Sequence, residues 1–71
     1  MTLREAQEGK EYIIKSIEIE DDEELLSFLF SLGCYSGEAI TVVTKKKQGL
    51  IVSIKDARYS IDRQLAEAII I

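Results

Sequence analysis

Short apolar runs separated by charged or glycine-bearing breaks set the rhythm of this chain. The run Tyr12-Ile13-Ile14-Lys15-Ser16-Ile17-Glu18-Ile19 is rich in β-formers, with Ile17 and Ile19 in strict alternation, and predicts a first strand. Glu20-Asp21-Asp22-Glu23-Glu24 then announces a helix. Asp21 is placed to act as N-cap with Glu24 three residues on, and acidic side chains suit the positive end of a helix dipole. Leu25, Leu26, Phe28, Leu29, Phe30 and Leu32 follow. At about 100° per residue they span an arc of roughly 200° centred near Leu29, with Phe28 and Phe30 at its two edges and Ser27 and Ser31 opposite. Gly33 stands where a left-handed residue would end the helix, and Gly37 offers a second such point after Cys34-Tyr35-Ser36.

Beyond Gly37 the pattern turns to alternation. Ala39–Lys45 predicts a second strand, Lys46-Lys47-Gln48-Gly49 a hairpin turn, and Leu50–Lys55 a returning strand with Leu50, Val52 and Ile54 on one face. Asp56-Ala57 reads as a short turn into a strand at Arg58–Ile61. Asp62–Ala66 is long enough for one helical turn, and Ala68-Ile69-Ile70-Ile71 is a terminal β-run that must be paired to avoid exposing bare isoleucine. The expected fold is mainly β: about five strands, one α-helix between the first two, and a helical turn before the last. Closure into a small barrel would remove the edges that such strands otherwise present.

With 71 residues there is polymer for one core and one domain, residues 1–71. No apolar run approaches the ~20 residues needed to cross a bilayer. Met1–Gln7 is polar around a lone Leu3, so no secretory leader is expected there and the chain reads as cytoplasmic. Histidine is absent, which removes the commonest general base and transition-metal ligand together. The net charge is −4, and the only basic run is Lys45-Lys46-Lys47, so nucleic acid is not an expected partner.

Few residues invite chemistry. The carboxylates Glu18, Glu20, Asp21, Asp22, Glu23 and Glu24 leave a strand and enter a helix pointing in several directions, so no metal site is assigned to them. Cys34 follows the negative end of the helix dipole, where a thiolate is disfavoured, and is expected to pack as a small half-buried apolar side chain. With neither a base nor an activated nucleophile, no enzyme activity and no cofactor are expected. What remains is binding. The apolar arc of the helix is wider than one side of a small barrel needs, and Tyr35 sits just past its end as a rigid, amphipathic candidate anchor. The expected partner-binding set is therefore Phe28, Phe30, Cys34 and Tyr35, with Lys45, Lys46 and Lys47 as a charged patch that steers association. Gly33 and Gly37 are expected to be backbone requirements.

The ordered set Leu3, Gly9, Ile14, Ile17, then Leu29-x-x-Leu32-Gly33-x-x-x-Gly37-x-x-Ile40-x-Val42, then Ile61, Ala66, Ile69 and Ile71, resembles the ferrous-iron transport protein A family over almost the whole chain. That resemblance implies an SH3-like barrel acting as a non-catalytic adaptor. Its implied partner is the membrane GTPase of bacterial ferrous-iron uptake, which would recruit it to the inner face of the membrane without insertion. The same barrel occurs as the C-terminal module of iron-dependent repressors, which implies an alternative role as a regulatory interaction module. The chain departs from the family pattern at Ser27 and Ser31, at Cys34 and Tyr35, and at Asp62, where arginine or aliphatic residues are more usual.

Overall fold

The isoleucine-rich run after Gly9 serves two sheets rather than one. The computed structural model describes residues 1–71. Its elements run β1 (Glu11–Ile13), β2 (Ser16–Ile17), α1 (Glu23–Leu32), β3 (Ala39–Lys45), β4 (Gly49–Ile54), β5 (Ala57–Asp62), α2 (Arg63–Ala68) and β6 (Ile69–Ile70). A single 3₁₀ turn, Leu3–Glu5, precedes them. The order β1-β3-β4-β5 forms a four-stranded antiparallel sheet, and β2 pairs antiparallel with β6.

The chain changes sheets at Ile14 and Lys15. Ile14 donates its N–H to Glu38 O at 2.9 Å and accepts from Gly37 N–H at 2.8 Å, while Lys15 N–H already donates to Ile70 O at 2.7 Å. One extended segment thus ties the large sheet to the small one, as barrel corners do. The single first strand expected from the pattern is split by this corner, which raises the strand count from five to six.

Fifteen apolar side chains form one buried cluster. In β4 the alternation predicted from sequence appears as Leu50, Val52 and Ile54 facing inward. β3 contributes Ile40 and Val42, α1 contributes Leu29, and Leu3, Ala6, Leu65, Ala66, Ile69 and Ile71 close the ends. Fully burying each leucine or isoleucine is worth roughly 1.5–3 kcal/mol, so this cluster dominates the fold's stability.

Three local expectations are corrected. The N-cap of α1 is Asp22, whose Oδ1 accepts from Leu25 N–H at 3.0 Å, and not Asp21. Asp21 adopts φ +57° and turns the chain, which delays the helical frame by one residue. Aspartate tolerates that left-handed conformation better than most residues. The segment after Asp62 is a six-residue α-helix rather than one turn, because Asp62 Oδ1 caps it at Leu65 N–H (2.7 Å) and Leu65 and Ala66 bury against the core. The β4–β5 turn also falls one residue earlier than expected. Lys55 and Asp56, both at positive φ, make the two-residue turn, and Ala57 belongs to β5.

Candidate interaction surface

The end of α1 determines where the candidate anchors lie. Gly33, at φ +86°, donates its N–H to Phe30 O (3.0 Å), and Cys34 N–H reaches back to Leu29 O (2.9 Å). These two bonds make a Schellman cap, which needs a left-handed residue at Gly33. The cap reverses the chain so that Tyr35 returns alongside the helix it has just left. Its ring stacks on Phe30 with centroids 5.4 Å apart and planes 25° from parallel.

A cation completes the arrangement. Lys55, from the tip of the β4–β5 turn, donates from Nζ to the Tyr35 hydroxyl at 3.0 Å and lies 5.3 Å from the ring centroid. Its ammonium also pairs with Glu38 at 3.5 Å. The hydrogen bond to Tyr35, then the Glu38 charge, hold the Lys55 pKa above its ordinary value. Three elements therefore converge on one small surface: α1 through Phe30, its following loop through Tyr35, and the sheet through Lys55. Phe30 is 60% exposed despite the stacking.

The other expected members are not brought to this surface. Phe28 is 49% exposed, but two residues along a helix is about 200°, so it lies on the opposite flank of α1 from Phe30. Cys34 is 2% exposed and belongs to the core, so it is removed from the surface set. Burial pushes its thiol up to about 11. Lys45, Lys46 and Lys47 are exposed on the β3–β4 hairpin, where Lys46 N–H donates to Gly49 O at 2.8 Å. That is the start of β4, whereas Gly33 and Lys55 sit at its end, roughly 17 Å away at the usual rise per residue.

Lys55 and Glu38 were missed by sequence reasoning, and no local pattern marks them, because their role depends on a contact between segments twenty residues apart. The sequence pattern marks Gly49 only as part of a turn. A Cβ there would stand 2.3 Å from the Ile61 carbonyl oxygen, so the close approach of β4 to β5 requires glycine. Gly37, at φ +92°, has open space around it, and its N–H ties the loop to Ile14.

Catalytic and metal-binding geometry is sparse. No three of the chain's Cys, Asp and Glu side chains converge as a metal site requires. The largest cleft, about 480 Å³, is open and lined by Lys46, Gln48, Gly49, Ser60, Ile61 and Asp62.

The sequence profile of the FeoA domain matches residues 1–71. The chain belongs to the FeoA domain family. No curated protein matches it in sequence. Among solved structures, an iron uptake regulatory protein (FeoA) is 26% identical, with a TM-score of 0.82, over 96% of this chain and 88% of that one. The Stenotrophomonas maltophilia FeoA, solved with zinc, is 22% identical with a TM-score of 0.84, over 99% of this chain and 87% of that one. It is described as a procaryotic SH3 domain protein proposed to activate ferrous iron transport. A manganese-dependent transcriptional repressor is 20% identical with a TM-score of 0.84, and this chain spans 39% of its length. The fold is thus mainly β and SH3-like, and the family is one of ferrous-iron transport. No helix is long and apolar enough to cross a membrane.

Proposed function

We propose that this chain is a cytoplasmic, non-catalytic adaptor that docks on the membrane GTPase of ferrous-iron uptake and modulates its transport. The observation that carries the docking surface is the stacked pair of exposed Phe30 and half-buried Tyr35, held by Lys55. Aromatic anchors pre-organised in this way lose little entropy on binding and supply most of the energy of small interfaces. Phe28 and Cys34 contribute no part of this surface. The lysine hairpin lies apart from this surface and steers encounter with an acidic partner surface.

Several features support the absence of catalysis. The chain has no histidine, its one thiol is buried and hard to ionise, and its clefts are open and lack a nucleophile paired with a base. Nucleotide chemistry belongs to the partner. A second reading, a regulatory module acting on a transcription factor, draws on the likeness to the manganese-dependent repressor. Co-purification of the chain with the purified transporter GTPase tests the first reading. Retention on the GTPase supports it, whereas retention only on a metal-dependent repressor favours the second.

A further inference from the structure

Of the chain's nine basic residues, five surround one cleft of about 290 Å³: Arg4, Lys45, Lys46, Lys47 and Arg63, with Leu50 at its floor. They come from three places that are remote in sequence, the 3₁₀ turn, the β3–β4 hairpin and the start of α2. All five are exposed. In a molecule of net charge −4 this concentration of positive charge is local and opposed by its surroundings. A second cleft, lined by Glu18, Glu20, Asp22 and Asp62 among others, shares α2 with it, so acidic and basic surfaces meet across that short helix.

We propose that the basic cleft is a docking site for a short acidic segment of a partner polypeptide, bound through its carboxylates. The chain's own contacts show the chemistry. Glu67 already pairs with Arg4 at 2.7 Å, and Glu8 accepts from the Lys45 backbone N–H at 2.6 Å, so two residues lining this cleft already hold carboxylates of the chain itself. The Arg4–Glu67 pair is exposed, and an incoming carboxylate can take over Arg4 at little cost because exposed ion pairs contribute little.

Phosphate fits less well. Phosphate sites draw on free backbone N–H groups at helix starts or nests. Here Asp62 occupies the start of α2 with its own carboxylate and would repel a phosphate. A broad polyanion, whether an anionic membrane or a nucleic acid, would cover the acidic cleft along with the basic one and meet like charge there. A short acidic segment avoids that conflict. The inference adds a second contact to the adaptor reading and rests on it only for where the partner lies; the charge argument does not need it.

The test is an amide-resolved NMR titration of the full chain with a hexaglutamate peptide, in the absence of any GTPase. Saturable shifts at Arg4, Lys45–Lys47 and Arg63 are expected. Affinity should fall several-fold as salt rises from about 20 to 150 mM, where the screening length shortens to about 8 Å. Lys46→Glu combined with Arg63→Glu should weaken the peptide at least roughly tenfold, and Arg4→Gln, a milder change, should weaken it less. Tyr35→Ala should leave peptide binding within about twofold, since it lies at the other end of β4. Absence of saturation, shifts confined elsewhere, or equal binding of inorganic phosphate or phosphatidylserine vesicles would overturn the proposal. So would concentration-dependent self-association with shifts at Glu20–Glu24, which would assign the cleft to a second copy. Because no transporter is present, any of these results leaves the docking role of Phe30 and Tyr35 to be judged separately.

Discussion

Tyr35 lies stacked on Phe30, five residues earlier in sequence, because the left-handed cap at Gly33 folds the chain back along α1. The pair is therefore a product of the helix end, and its geometry depends on residues that touch neither ring.

Truncating one ring separates binding from stability. Aromatic pairs contribute about 0.5–1.5 kcal/mol beyond the area they bury, and here Phe30 is exposed while Tyr35 is half-buried. Tyr35→Ala is expected to lower unfolding free energy by about 0.5–1.5 kcal/mol from the lost stacking, plus the smaller share from its half-buried area, read by urea denaturation. Tyr35→Phe keeps the stacking but removes the acceptor for Lys55, and should retain most of the stability.

Two glycines should resist substitution for different reasons. Gly33→Val places a β-branched residue at φ +86° and is expected to cost roughly 1–3 kcal/mol. Its Cβ would also press on the Lys55 side chain at 3.2 Å, disturbing the cation that holds Tyr35. Gly49→Ala forces a Cβ against a backbone carbonyl that cannot swing aside, and overpacking of this kind costs about 1–3 kcal/mol or more. Thermal melts of both variants check these expectations. A Gly49→Ala protein melting with the wild type would mean that β4 and β5 separate easily at that point.

Much of this was legible in the sequence. The boundaries of β3, the inward face of β4 and the glycine end of α1 follow from alternation and from one residue type at one place. The splitting of the first strand was not legible, because an unbroken β-rich run does not show that one half pairs with β3 in the middle of the chain and the other with β6 near its end. The cap shifted from Asp21 to Asp22 because neighbouring aspartates offer the same signal, and only the backbone turn chooses between them. At the candidate surface, Phe30 and Tyr35 were found from the surplus width of the apolar arc. The separation of Phe28 from them follows from helix geometry, but Lys55 comes from tertiary contact alone.

Burial of Cys34 has a consequence at alkaline pH. Its thiol pKa is raised to about 11, against about 8.5 in an unfolded chain. The native state holds the proton longer, so this stability is complete below about pH 8.5 and is lost as pH rises toward 11. Wild type should therefore lose more unfolding free energy than Cys34→Ala between about pH 8.5 and 10.5. Parallel profiles for the two proteins would place the thiol in water rather than in the core.

Anaerobic titration with Fe²⁺ is expected to show no stoichiometric site tighter than the weak carboxylate background. A micromolar site that is lost on neutralising Asp22 and Glu24 would instead make the acidic entry to α1 a metal ligand set.

The most direct measurement is calorimetric binding of the purified transporter GTPase to wild type, Phe30→Ala and Tyr35→Ala. Interface anchors cost about 2 kcal/mol or more on truncation, so each variant should bind at least roughly tenfold more weakly. Both should remain folded at the assay temperature, and Lys46→Glu with Lys47→Glu should slow association and weaken the second contact at the basic cleft, with an effect that fades at high salt. Normal affinity of both aromatic variants, together with loss of binding in the lysine variant at every salt concentration, would contradict docking through the end of α1.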